Sequence, residues 1–220
     1  MKTDPQVFIR SNTSIMTPPH VPEIRLHLAS EAHELWLKTE DELQEIGLPP
    51  PFWAFAWAGG QGLARYILDR PEVVAGKRVL DFASGSGLVA IAAAKAGALS
   101  VLAVDIDPWA KAAIALNAAE NHVEIGFCGD DIVGTEVDTD VILAGDVFYD
   151  RAFAEVLTPW FSRLTQNGKA VLVGDPGRAY LPRTQLRNCA TYEVPVTRAL
   201  EDSDVKKTTV WRFVSATSAL

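Results

Sequence analysis

The 220-residue chain carries 20 Lys plus Arg against 28 Asp plus Glu, a formal net charge of −8, with 48% hydrophobic residues. That length fits one domain with one large core, and the acid excess leaves no basic footprint for a nucleic-acid duplex. No apolar stretch reaches membrane-spanning length free of charge, so neither nucleic acid nor membrane is an expected partner.

The N-terminal residues, with Asp4, Pro5 and Glu23, lack both a signal-peptide core and an Arg-rich, acid-poor transit character, and a cytoplasmic setting is expected. Cys128 and Cys189 lie far apart in strand-like runs and are expected as reduced core thiols. His20, His27, His33 and His122 have no metal-ligand spacing, so no metal is expected.

Residues 1–22 are polar and Pro-rich and read as an N-terminal arm. From Pro22 to Leu37 the spacing of Ile24, Leu28 and Leu35 predicts a helix, with His27 and His33 on its surface. Pro49-Pro-Pro-Phe-Trp-Ala-Phe-Ala-Trp-Ala-Gly-Gly60 is an aromatic loop. Residues 61–68 return to a helical pattern that Asp69-Arg-Pro71 closes.

An alternation of strands and helices then begins. Strands are expected at 78–82, 100–104, 124–128, 140–144 and 169–173, with near-continuous apolar runs that suit parallel strands buried on both faces. Helices fit at 88–96, 108–120 and 152–164; Pro108 favours a helix start, and Asn167-Gly168 a helix exit. Residues 190–197 and 207–214, joined by Glu201-Asp-Ser-Asp204, read as a hairpin at the sheet edge. The expected architecture is α/β, a mostly parallel central sheet with a C-terminal antiparallel hairpin and an N-terminal helical extension. It forms one domain, with residues 1–70 as arm and helices and 71–220 as the α/β core.

The densest signal is Val79-Leu-Asp-Phe-Ala-Ser-Gly-Ser-Gly87, which runs into an Ala-rich helix and is followed by Val101-Leu-Ala-Val-Asp-Ile-Asp107. Gly85 and Gly87 let backbone approach a ligand closely. Asp105, about 20 residues on at the next strand tip, suits ribose hydroxyls, so an adenosine-bearing cofactor is implied. Gly85-Ser-Gly87-Leu-Val-Ala90 also satisfies the dinucleotide pattern G-x-G-x-x-A. However, Asp81 would set a carboxylate near the pyrophosphate of NAD, whereas it suits the cationic S-adenosylmethionine. NAD and a turn without a ligand stay as alternatives.

Predicted strand ends carry Asp81, Asp105, Asp130, Asp131, Asp146 and Asp175. Like charges at one edge raise one another's pKa, and a cationic cofactor with a cationic substrate would relieve them; a merely solvated rim is the alternative.

Three segments carry a resemblance. Gly145-Asp-Val-Phe-Tyr-Asp150 lacks the prolines of the Asp/Asn-Pro-Pro-Tyr/Phe loop of nucleobase-amine methyltransferases. Its Asp146-x-x-Tyr149 is similar to the Asp/Glu-x-x-Tyr/Phe element of the family-16 class I methyltransferases. Phe52-Trp-Ala-Phe-Ala-Trp-Ala-Gly-Gly-Gln-Gly-Leu-Ala-Arg65 resembles that family's Trp-x-Gly-x-x-Leu-Ala element. Val21-Pro-Glu-Ile-Arg-Leu-His-Leu28 resembles the branch that methylates lysine in the electron-transfer flavoprotein β-subunit. The resemblance covers roughly residues 7 to 214, and without a transit peptide the chain looks like a bacterial relative of a branch that is mitochondrial in eukaryotes.

The resemblance implies a Rossmann-like fold, S-adenosylmethionine as cofactor and a protein substrate with an exposed lysine. It implies that Ala83, Ser84, Gly85 and Gly87 wrap the methionine and ribose portions, with Asp81 and Gly145 beside them. Asp105 would bind the ribose hydroxyls and Ile106 the adenine. Asp131 and Ile132 would flank the adenine, with Asp130 or Asp131 accepting from its N6; many members carry Trp in place of Ile132. Trp57 would close over the cofactor, or else pack as a core aromatic. Asp146 would bind and orient the amine, while Tyr149 and Phe148 wall its channel. A metabolite methyltransferase and a non-catalytic cofactor-binding module are the other readings.

Overall fold

The computed structural model describes residues 4–30, 50–196 and 202–214. Seven strands form one sheet: β3 (Arg78–Phe82), β4 (Ser100–Val104), β5 (Gly126–Cys128), β6 (Val141–Gly145), β7 (Ala170–Asp175), β8 (Leu186–Pro195) and β9 (Val205–Phe213), in the order β5-β4-β3-β6-β7-β9-β8. The first five are parallel. Strands β9 and β8 run antiparallel at one edge, as the C-terminal hairpin predicts.

Side chains alternate faces along a strand. Val79 and Asp81 point to one layer, with α2 (Ala58–Asp69), α3 (Leu88–Lys95) and α4 (Pro108–Glu120). Leu80 and Phe82 point to the other, where α5 (Arg151–Gln166) lays Ala154, Leu157, Trp160, Phe161 and Leu164 against the sheet at helical spacing. Helix α3 is buried nearly all round, and its alanines let it sit close to β3 and β4.

After β5 the chain returns across the sheet and places β6 on the far side of β3. This reversal opens a crevice outside the carboxyl ends of the strands, where ligands bind in open α/β sheets.

The N-terminal region differs from expectation. The polar arm contains α1 (Pro5–Asn12), capped by the Asp4 carboxylate, and β1 (Ser14–Met16). The helix expected from residue 22 is replaced, in its described part, by β2 (Leu26–Leu28), which pairs antiparallel with β1. Asn117 of α4 accepts from the His27 amide at 2.7 Å, and Asn121 brackets Arg25, accepting from its amide and donating to its carbonyl. These contacts fix extended backbone where local spacing suggests helix. His27 is consequently buried rather than on a helix surface; His33 lies outside the described residues. Cys128 and Cys189 are free but only half-buried, at a strand end and beside a β-bulge, so they are not core thiols.

Candidate functional site

A cavity of about 600 Å³ opens at the carboxyl ends of β3, β4 and β6. Its floor is the turn between β3 and α3, in which Ala83, Gly85 and Gly87 all hold left-handed backbone. For glycine that conformation carries no steric cost. Helix α4 braces the turn from behind: Asn117 donates to the Ser86 carbonyl at 2.8 Å, and Ile114 packs against Gly87.

Asp81 is 1% exposed and accepts from the Ser84 hydroxyl and from the Ala90 amide at 3.0 Å. Burial pushes its carboxyl up to about 7, against the pull of those two hydrogen bonds. Asp105, at the tip of β4, accepts from the Gly85 amide at 2.8 Å and the Asp107 amide at 3.0 Å. Burial raises its pKa too. Asp107 caps α4 through the Trp109 amide and is pushed up to about 6, mainly by burial and then by its neighbour Asp105. Asp107 is not among the strand-end acids expected at the site; an acid directly before Pro108 is a helix-capping signal.

Asp146 follows β6 in left-handed backbone, φ 57°, a conformation in which Asp is several-fold enriched. Its amide donates to the Gly174 carbonyl at 2.9 Å, and its Oδ2 accepts from the Gly60 amide at 3.1 Å near the start of α2. Close approach makes that reach possible: Gly145 faces Gly60, and Gly174 faces Gly59, without room for a Cβ at Gly145 or Gly174. The Asp146 Oδ1 accepts from Arg178 Nε at 3.0 Å and Nη2 at 2.6 Å.

Arg178 is the functional residue that sequence reasoning missed. Strand β7 ends in Asp175-Pro-Gly-Arg178, and the Asp175 Oδ1 accepts from both the Gly177 and Arg178 amides, turning the chain back toward β6. A basic residue on a tight turn just past an acid-rich strand edge was the available signal. Asp175 itself is buried, which raises its pKa, and it does not line the cavity.

The aromatic loop supplies one wall. Phe52, Phe55 and Trp57 line the cavity, and the Trp57 indole donates to the Phe52 carbonyl at 3.1 Å. Tyr149, 54% exposed, faces Phe52 at 6.0 Å between ring centroids. Burial, then the charges of Asp150 and Asp105, raises the Tyr149 phenol.

The cavity therefore brings together Trp57, Asp81, Ala83, Ser84, Gly85, Asp105, Ile106, Gly145, Asp146 and Tyr149. It leaves out four other expected residues besides Gly87, which closes the turn. Phe148 does not wall a channel: it is fully buried on the opposite layer, against Phe161 and Phe213. Asp130 and Asp131 stand exposed past β5, where Asp131 accepts from the Val133 amide, and Ile132 packs on the α5 layer.

Among the described residues, Asp81, Asp105, Asp107 and Asp146 line the cavity against the single cation Arg178. Two of these carboxylates are pushed toward neutral pH by burial, so a ligand bearing positive charge would stabilise their anions. With an otherwise apolar lining and open backbone at the glycine turn, this donor set fits a cationic adenosine compound such as S-adenosylmethionine. It does not suit a pyrophosphate.

The family model described as ribosomal protein L11 methyltransferase (PrmA) matches residues 64–174. The chain is 38% identical over 218 residues to the electron transfer flavoprotein beta subunit lysine methyltransferase of Xenopus laevis, covering 96% of this chain and 87% of that one. It is 40% identical over 214 residues to the Danio rerio protein of the same name, covering 94% and 82%. Among solved structures, the ribosomal protein L11 methylase of Lactobacillus delbrueckii subsp. bulgaricus superposes with a TM-score of 0.51 at 23% identity over 73% of this chain and 81% of that one. The magnesium protoporphyrin IX methyltransferase of Synechocystis PCC 6803, with bound SAM, gives 0.52 at 18% identity over 72% and 80%. Both share the fold.

Proposed function

The chain belongs to the family of electron transfer flavoprotein β-subunit lysine methyltransferases, and from that premise we propose that it methylates a lysine of the electron-transfer flavoprotein β-subunit. It is an S-adenosylmethionine-dependent methyltransferase. The observation that carries the reading is the cavity in which the glycine turn, with Asp81 and Asp105 beside it, meets Asp146 behind an aromatic mouth.

In this reading Asp105 accepts from the ribose hydroxyls, Ser84 and Gly85 follow the ligand along the turn, and Trp57 covers it. When bound, S-adenosylmethionine supplies a methyl group activated by its sulfonium, which leaves the S–C electron pair on sulfur as the C–N bond forms. The acceptor nitrogen must arrive neutral, so a lysine ammonium first releases one proton to water; desolvation favours that loss. Asp146, held rigid by Gly60, Gly174 and Arg178, orients the nitrogen, and Tyr149 with Phe52 excludes water around the lysine stem. Orientation of this kind carries much of the rate in a transfer between two bound groups.

The net charge of −8 favours a basic segment of the acceptor protein and makes the association salt-sensitive. The test is incubation with radiolabelled S-adenosylmethionine and the purified flavoprotein. Label should enter the β-subunit, and faster at low salt. Label that enters only small molecules would overturn the protein-substrate reading.

A further inference from the structure

The Asp146 carboxylate, the group read above as orienting the amine, is already matched by a fixed cation. Arg178 places two donors on one oxygen, Gly60 one on the other, and the side chain of Arg178 is only 23% exposed. We propose that Arg178 is a positioning residue that stays on Asp146 during the reaction and destabilises the substrate lysine as an ammonium, so that it binds as the neutral nucleophile. The proposal rests on the lysine-methyltransferase reading.

A bare carboxylate in a half-buried cavity would hold lysine as its ammonium and raise its pKa, which would stabilise the wrong protonation state for attack. A guanidinium cannot give up its own proton to relieve the conflict. It therefore cancels the local charge of Asp146 at every working pH, so the carboxylate no longer favours the ammonium over the neutral amine. A lysine in the place of Arg178 would be a flexible point charge without the fork that fixes Oδ1.

The placement is built into the fold. The Asp175 turn aims Arg178 at the adjacent strand tip, where β6 and β7 are paired at Gly145 and Gly174. Other titratable or charged groups facing this corner are Asp81, Asp105 and Asp107 across the cavity, Tyr149 and Asp150 after β6, and Asp175 and Arg183 on the β7 side. The acids outnumber the cations, so removal of Arg178 leaves a strongly anionic pocket.

The test is the pH dependence of single-turnover methyl transfer to the flavoprotein β-subunit by the full chain and by Arg178→Gln and Arg178→Lys. Loss of a unit charge beside the amine should move the ascending limb of the Gln profile upward by about one pH unit, about tenfold in rate at neutral pH. The rate should recover at alkaline pH, and the KM for the acceptor should fall or stay constant. Arg178→Lys should keep the parent midpoint and the parent's affinity for S-adenosylmethionine, and calorimetry should give Arg178→Gln an affinity equal to or tighter than the parent's, because the cavity loses a cation. A Gln profile lowered by the same factor at every pH, or not lowered at all, overturns the proposal. If the Gln variant fails to fold, the Lys variant decides: a midpoint moved upward despite the retained charge is then the overturning result, and a parent midpoint the supporting one. Absence of transfer by the parent chain overturns the substrate reading itself, and this proposal with it.

Discussion

Gly60 and Gly145 face each other where α2 meets the strand tips, and the same Gly→Ala change should have opposite effects at the two positions. A Cβ on Gly145 would lie 2.8 Å from the Gly60 Cα and 3.0 Å from its nitrogen, both backbone atoms that no rotamer moves aside. Carbon atoms need about 3.5–4.0 Å, so the helix start must retreat by close to 1 Å. The Gly60 amide, now 3.1 Å from Asp146 Oδ2, then passes beyond hydrogen-bond reach. Overpacking of this kind costs about 1–3 kcal/mol, which for a chain of this size is a fall in Tm of roughly 2–12 °C. A Cβ on Gly60 would instead meet Leu88 at 3.9 Å and Val89 at 4.0 Å, ordinary contacts. Inside a helix that substitution should stabilise by about 0.4–1 kcal/mol through the unfolded chain. Thermal unfolding followed by circular dichroism reads both changes. Equal Tm for Gly145→Ala and the parent, or a large loss for Gly60→Ala, would refute the close-approach account of how α2 reaches Asp146.

Asp105→Ala should weaken S-adenosylmethionine by about 1.5–3 kcal/mol through loss of charged hydrogen bonds to the ribose, read by calorimetry; an unchanged affinity would place the ribose elsewhere. The pKa of Asp81 is raised in the folded state, so protonation stabilises the fold: its contribution is full below the unfolded carboxyl pKa and is lost as pH rises through about 7. The Tm of the ligand-free chain should therefore rise on acidification from about pH 8 to about pH 5 relative to Asp81→Asn, and a flat difference would contradict the burial of that charge. A cationic ligand next to Asp81 favours its anion, so binding should release protons near pH 7, measurable as a dependence of the calorimetric heat on the buffer.

Much of this architecture could be read from the chain. Strands β3 and β4 and helix α4 occupy the residues expected of them, because runs such as Val101-Leu-Ala-Val104 and a Pro-started helix state their ends locally. Asp81, Asp105 and Asp146 were legible as acids at strand ends, and the fold gathers them at one cavity. What escaped depends on contacts distant in sequence. Strand β2 is extended because Asn117 and Asn121, about 90 residues away, hold its backbone, and no periodicity within residues 22–37 contains that information. Phe148 sits one residue from the exposed Tyr149 and yet faces the opposite layer; the chain turns between them, which the Asp-x-x-Tyr spacing alone does not specify. Arg178 joins the site only because β7 lies beside β6 in the sheet.

The central claim is transfer of a methyl group to a lysine of the flavoprotein β-subunit, and intact-mass spectrometry of that subunit after incubation with the chain and S-adenosylmethionine tests it most directly. The account predicts steps of about 14 Da localised to lysine. It also predicts no steps with Asp146→Ala, although that variant still binds the cofactor. An unmodified β-subunit, with the methyl group recovered on a different protein or a metabolite, would contradict it.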